Sequence, residues 1–309
     1  MTEATLETQE QAAESGCVLF PLRDWTILSI TGPERHSFLH SFCTNDIKGM
    51  AAGAVCEAFI TNVKGRILTH VLVLNEPEQL TLLAAPGLAD SLLKHLQIYL
   101  IGLEAELRDV SASTAVTCLV GPQSEEIAES LADSEVHVSR YDFLGHPTQI
   151  VVVDREQFAA VQQLESFDGV TLGNDSGFEV LRIAAGFPLS GRDVTEENLA
   201  QEAARTAQAI NFRKGCYLGQ EPIARLDAMG HTNKELRCLS CDGSLEIELP
   251  CEVHFDGQTV GKLTSLAYSA QRNETVGLAM LQTRATAPGT EVTIGADGKH
   301  HMQVVSRSP

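Results

Sequence analysis

The chain has 309 residues, beyond the roughly 250–300 that one hydrophobic core usually serves, so more than one folding unit is expected. Hydrophobic residues make up 43% and charged residues 20%, which excludes collagen-like, low-complexity and wholly disordered chains. A formal net charge of −19 disfavours bulk binding to nucleic acid or to an anionic membrane, because such a surface repels phosphate.

Residues 1–16 contain Glu but no Lys or Arg and show no apolar stretch, so the segment reads as a disordered acidic tail and not as a secretory signal or Arg-rich transit peptide. No run approaches the roughly 20 apolar residues of a membrane helix, and the expected location is the cytoplasm. Trp25 to Ile30 alternates as a strand does, Gly32-Pro33 breaks it, and Phe38, Leu39 and Phe42 follow at helical spacing. The pattern returns with a strand over Ala115 to Val120, a break at Gly121-Pro122 and a helix over Glu125 to Leu131, which suggests two related strand–helix units. Between them, Glu57 to Leu74 is strand-rich with a hairpin turn at Lys64-Gly65-Arg66, and Gly87 to Leu100 is an amphipathic helix carrying Leu88, Leu92, Leu93 and Leu96 on one face. Ile150 to Val153 predicts a buried strand and Arg155 to Leu164 a helix. From Glu235 helical spacing gives way to short alternating runs, with Asp256-Gly257 and Asp297-Gly298 as turns, which predicts an all-β unit. The division is then 1–16, 17–112, 113–235 and 236–309.

The eight cysteines, at 17, 43, 56, 118, 216, 238, 241 and 251, read as reduced thiols, since the chain is too long and apolar for a disulfide scaffold. Cys238-x-x-Cys241 invites a zinc or redox reading, but on a strand residues three apart face opposite ways, and no second such pair exists. His300-His301 reads as an exposed pair near the C-terminus, and His231 and His70 either line a ligand site or are satisfied side chains. Asn45-Asp46 either caps a turn or faces a ligand, and Lys64 and Arg66 read as solvated turn residues or contacts to a ligand carboxylate.

The most informative stretch runs from Ile210 to Arg225. Gly215 and Gly219 flank Cys216 and Tyr217 and allow tight turns and close approach. Arg213 and Lys214 precede the thiol, and a neighbouring cation favours the reactive thiolate. From Arg205 to Arg225 there are four basic residues against one Glu, a local excess that suits an anionic ligand. Tyr217 can stack, and Gln220 and Glu221 can read amide or amine edges. The same string also fits a glycine-rich turn with a half-buried cysteine.

Lys214-Gly215-Cys216-Tyr217-Leu218-Gly219-Gln220-Glu221 resembles the signature of the YgfZ family, folate-binding relatives of the glycine cleavage T-protein with a role in iron–sulfur protein biogenesis. Leu181 to Pro188 resembles the family's preceding segment, Asn198 to Glu202 its Pro-Gln-Glu stretch with Ala200 in the Pro position, and Thr44-Asn45-Asp46 the N-terminal block shared with T-protein. The resemblance implies an α+β fold in three parts, two α/β subdomains around a central folate cavity and a C-terminal β-barrel, with the signature loop facing the cavity. It implies tetrahydrofolate or a one-carbon derivative as cofactor, and a transient iron–sulfur cluster. The implied partners are iron–sulfur enzymes or assembly proteins, with tRNA modification reached through such enzymes and not by direct tRNA contact. Cys216 would be the functional thiol with Lys214 beside it. Tyr217, Gln220, Glu221, Arg225, Arg213, Asn45, Arg66 and Arg182 would line the folate site, and no resident metal is expected.

Two departures from T-protein bear on activity. Thr69 and His70 stand where T-protein carries an acidic pair used in aminomethyl transfer, and Ala184 stands where it carries a Glu suited to the N–H edge of a pterin. Both argue for an accessory factor over an aminomethyltransferase. The transferase and a non-catalytic interaction scaffold are the alternatives.

Overall fold

A computed structural model describes residues 4–131, 136–157, 161, 164, 167, 169–295 and 298–306. The first sheet has the order β3-β4-β5-β2-β6, from β2 (Thr26–Thr31), β3 (Val55–Thr61), β4 (Ile67–Asn75), β5 (Gln79–Ala84) and β6 (Glu106–Asp109). Helices α2 (Arg35–Phe42) and α3 (Ala89–Gln97) cover one of its faces, where Phe38, Leu39, Leu92 and Leu96 meet Leu28, Ile30, Val71 and Val73. The other face carries Ile27, Leu72 and Leu74 into a core shared with the second sheet. β4 therefore reads as an almost unbroken apolar run, because both of its faces are covered.

The second sheet has the order β10-β1-β7-β9-β8, from β1 (Cys17–Pro21), β7 (Thr114–Val120), β8 (His137–Arg140), β9 (Thr148–Asp154) and β10 (Val170–Leu172). β1 lies beside β7 and β10, so the expected division at residue 112 is not respected by the sheets: the strand that opens the chain belongs to the second unit. α4 (Ser124–Glu129) packs on this sheet, and α5 (Asp175–Ala184) joins it to the C-terminal unit. The two strand–break–helix units share one device. Gly32 and Gly121 both hold positive φ, and a Cβ on either would come within 2.4 Å of a backbone carbonyl oxygen, of Glu104 and Gly16 respectively. The helix expected over Arg155 to Leu164 begins as a short 3₁₀ turn over Arg155–Gln157, and its remainder lies largely outside the described residues.

The acidic N-terminal segment is not a disordered tail. Leu6–Ser15 forms helix α1, with Thr5 as its N-cap accepting from the Thr8 N–H. Polar anchors dock it. Gln9 is buried and its side-chain oxygen accepts from the Asn174 N–H at 3.0 Å, while buried Glu10 accepts from the Ser269 hydroxyl and the Gln271 N–H. A hydrophobic-periodicity reading misses a helix held by buried hydrogen bonds.

The C-terminal unit is a closed barrel of β11 (Lys234–Asp242), β14 (Glu274–Gln282), β13 (Gln258–Ser269), β12 (Cys251–Phe255), β15 (Glu291–Ile294) and β16 (His300–Val305). Asp256 and Gly257 turn β12 into β13 with φ of +51° and +72°, as the Asp-Gly pair requires. The second expected turn, at Asp297, lies outside the described residues. Cys238 packs outward with Ile183 and Leu236, whereas Cys241 packs against the barrel interior, so the two thiols face opposite sides of β11. His300 and His301 are exposed on β16. Among the described residues no helix is long and apolar enough to cross a membrane.

Candidate functional site

Two adjoining features carry chemistry: a buried charged cluster between the sheets and the loop over residues 211–219. Glu57, in β3, is fully buried on the face turned to the second sheet. β3 and β4 pair so that Phe59 faces His70, which places His70 diagonally across from Glu57. His70 Nε2 donates to Glu57 Oε2 at 2.9 Å. Arg205, from the segment after the 3₁₀ turn Ala200–Ala203, donates Nε to the same oxygen at 2.8 Å and Nη2 to Oε1. Tyr141, from the connection between β8 and β9, donates its hydroxyl to Oε1 at 3.1 Å. Both carboxylate oxygens are thus doubly engaged. Burial pushes the Glu57 pKa up, but the hydrogen bonds and charges of His70 and Arg205 outweigh it and hold the carboxyl at about 2. Burial also pushes the Tyr141 hydroxyl far up, and the Glu57 charge adds to this.

His70 is fixed on every side. Its Nδ1 lies 3.2 Å from the Pro188 carbonyl, and its ring packs between Phe59 and Phe187 at 5.0 and 4.8 Å. Both ring nitrogens lie within hydrogen-bond distance of oxygen atoms, the Pro188 carbonyl and the Glu57 carboxylate. Thr69 is buried beside it. The positions that resemble T-protein's acidic pair therefore hold a buried hydroxyl and an imidazole with both ring nitrogens engaged, and neither is free to act as a base.

The loop after Ile210 rests on the first sheet. α6 (Thr206–Ala209) leads into it. The Asn211 side chain accepts from the N–H groups of Arg213 and Lys214, while the Leu218 N–H donates to Ser41 O and the Thr61 hydroxyl to Leu218 O. Gly219 then opens α7 (Gln220–Met229) with φ +84°, and a Cβ there would come within 2.5 Å of Asn62 O. No side chain larger than glycine fits at that position without moving the β3–β4 turn.

Several expected ligands are engaged elsewhere. Lys214 is buried, and its ammonium donates to His40 O, Cys43 O and Asn45 O at 2.6–2.8 Å, which accounts for its three N–H groups. It clamps the C-terminal end of α2, and burial lowers its pKa. Tyr217 is buried among Phe59, Ile67 and Ile223 with the ammonium 4.9 Å above its ring, and burial pushes its hydroxyl up to about 12. Asn45 donates its side-chain amide to Glu57 O and Gln208 O, and its oxygen accepts from the Asp46 N–H. Arg182 is completely buried, and its five N–H groups reach Glu179, Phe187 O, Asp193 and Ser265, tying α5 to the barrel. Arg66 braces the Glu197 carbonyl. Lys214, Tyr217, Asn45 and Arg182 therefore hold the framework together. Arg213, Cys216, Glu221 and Arg225 are exposed, and Gln220 is half-buried.

Glu57, Arg205 and Tyr141 were not expected from the sequence. A lone Glu in the apolar run Cys56 to Ile60, opposite a strand with a lone His, was a legible signal of a buried pair. Arg205, 148 positions from Glu57, gave no local sign.

The fold defines a three-part α+β protein of T-protein type. Residues 2–154 match the GCVT N-terminal domain family, and residues 234–309 match the glycine cleavage T-protein C-terminal barrel domain family. The crystal structure of the glycine cleavage system aminomethyltransferase T from Bartonella henselae superposes with a TM-score of 0.86, covering 98% of this chain and 89% of that one at 17% identity. The chain is 29% identical over 256 residues to the tRNA-modifying protein YgfZ of Yersinia pestis, 76% of this chain and 75% of that protein. It is 27% identical over 307 residues to a chloroplastic putative transferase of Arabidopsis thaliana, 93% of this chain and 70% of that protein. An aminomethyltransferase of Thermoanaerobacter is 21% identical over 93% of this chain and 84% of its own length. The chain belongs to the T-protein family in this broad sense, with YgfZ proteins among its homologues.

Proposed function

We propose that this chain is a folate-binding, YgfZ-like accessory factor that acts in the cytoplasm in the assembly or maintenance of iron–sulfur proteins, with the Cys216 thiol as its reactive group. The observation that carries this reading is the placement of Cys216: an exposed thiol on a loop held rigid from below by the Lys214 clamp and the Thr61 and Ser41 hydrogen bonds. A thiol displayed in this way can engage a partner's cluster or a one-carbon unit without unfolding the loop. With a net charge of −19, a link to tRNA modification runs through a client enzyme.

The residues fit a reduced folate in part. Arg213 and Arg225 are exposed cations suited to the carboxylates of a glutamate tail. The N–H edge of a pterin needs an acceptor. Ala184 offers none from its side chain, and the oxygens of Glu57 are already occupied, so backbone carbonyls are left for that role. Aminomethyl transfer is disfavoured by the locked state of His70.

Complementation tests the thiol. Cells lacking their own YgfZ-type protein receive the native chain or Cys216→Ser, and an iron–sulfur enzyme is assayed. Rescue by the native chain alone supports the reading, and equal rescue by both removes the thiol from it. Calorimetric titration with tetrahydrofolate tests the cofactor: saturable binding weakened by Arg225→Ala supports it, and no binding leaves the scaffold reading in its place.

A further inference from the structure

Beside the exposed thiol lies a histidine of which the site above uses only the backbone. His40, in α2, gives its carbonyl to the Lys214 ammonium, and the residue is 8% exposed. Its imidazole meets the segment after α2 on one side and the Cys216 loop on the other. At Nδ1, Asp46 Oδ1 lies 3.2 Å away and the Lys48 backbone nitrogen 3.4 Å away. The carboxylate is the nearer group and carries charge, so Nδ1 holds the proton of the neutral ring and Nε2 keeps its lone pair. Burial, then the charges of Lys214 and Lys48, lower the His40 pKa against the pull of Asp46, so the ring is neutral at pH 7.

Nε2 has no hydrogen-bond partner among the described residues, yet it is not sealed from solvent. It faces Gly215: a Cβ there would sit 3.7 Å from Nε2, and no other atom beyond the chain neighbours would come within 4 Å. Gly215 and Cys216 are both exposed, so this side of the loop is open. Consecutive Cα atoms are about 3.8 Å apart, and a Cys216 rotamer turned back over Gly215 carries Sγ towards the imidazole. Glycine has no side chain to stand between them. The other charged groups of the loop are Arg213, which is exposed, and Lys214, whose ammonium is held by three carbonyls; Glu221 is exposed at the start of α7.

We propose that His40 Nε2 is the proton acceptor of Cys216, directly or through one water, with the Asp46 carboxylate behind Nδ1. As Sγ bonds to an electrophile, the thiol proton passes to Nε2, and Asp46 balances the charge of the imidazolium that results. This assignment rests on the reading of Cys216 as the reactive group and adds what activates it. Lys214, the cation that the sequence places beside the thiol, is turned to the framework instead.

The test is the rate at which iodoacetamide alkylates Cys216 in the full chain, followed at pH 7 and pH 10 by mass spectrometry of the peptide that carries it. At pH 7 an ordinary thiol is mostly protonated and a base matters, whereas at about pH 10 it is ionised without help. The native chain is expected to react at least about threefold faster than His40→Leu at pH 7, with the ratio falling to about 1 at pH 10. Gly215→Ala keeps the test decisive where His40→Leu fails to fold. Its Cβ would meet Nε2 in ordinary contact, at a backbone φ that is not positive, and so covers the nitrogen with the loop intact. It is expected to lose the same advantage at pH 7. Equal rates at pH 7 would overturn the assignment, and so would a ratio unchanged at pH 10, because a merely structural effect slows the reaction at both. The two readings fail separately. A His40 effect together with full rescue by Cys216→Ser keeps the pair and removes the function, whereas no His40 effect together with failed rescue removes the pair and keeps the function.

Discussion

Replacing Glu57 by Gln keeps the shape of the side chain and removes its charge. The Gln oxygen can still accept from Arg205 or Tyr141, but its NH₂ must face the donors that Glu57 Oε2 now accepts from, His70 Nε2 and Arg205 Nε. Charge-assisted hydrogen bonds worth about 1.5–3 kcal/mol each are lost, and the buried Arg205 guanidinium loses its counter-charge. Removing one partner of a buried ion pair costs about 3–5 kcal/mol, and that is the expected loss here. The single tryptophan, Trp25, is buried in the core between the sheets and packs edge-on against Phe178 at 5.9 Å, so its fluorescence in urea reports this region. Arg205→Met removes the other charge. In the double variant the amide no longer faces a guanidinium, so the losses are expected not to add, with a coupling of about 2 kcal/mol. A loss below about 1 kcal/mol in Glu57→Gln, or additivity within about 0.5 kcal/mol, would refute the view that the cluster is a desolvated unit.

The same cluster sets an acid limit. The Glu57 carboxyl is held at about 2, below the ordinary value near 4.3, so its stabilisation is complete above about pH 4.3 and is lost as pH falls towards 2. Acid unfolding followed by Trp25 fluorescence is expected to begin at higher pH in Arg205→Met. Lys214→Met leaves the carbonyls of His40, Cys43 and Asn45 without the ammonium. It should cost at least about 2 kcal/mol and speed labelling of Cys216 by a thiol reagent, whereas unchanged labelling would mean that the clamp does not hold the loop. Gly219→Ala places a Cβ 2.5 Å from Asn62 O at a positive φ, for an expected loss of about 1–3 kcal/mol, checked by urea unfolding against Gly230→Ala, where the φ is also positive but nothing lies within 4 Å. Glu10→Ala removes the acceptor of Ser269 and Gln271 and should raise proteolysis within residues 4–15, where an unchanged digestion pattern would return the segment to a tail.

What the sequence determined by itself was local and covalently near. Alternation and helical spacing marked β2, α2, β7, α4 and the barrel strands, because each element's apolar pattern follows from its own geometry. Asp256-Gly257 announced its turn, and the Lys214–Glu221 string carried the family resemblance. α1 escaped because its anchors are single polar side chains, Gln9 and Glu10, meeting residues more than 160 positions away. Only the tertiary structure decided what each polar residue of the site does. A Lys beside a Cys suggests an activated thiol until the chain places three carbonyls around the ammonium. An Arg before a pocket suggests a ligand contact until its five N–H groups are all engaged, as at Arg182. The reason is physical: residue type fixes how many hydrogen bonds a side chain can make, but burial and distant partners decide which ones are already made.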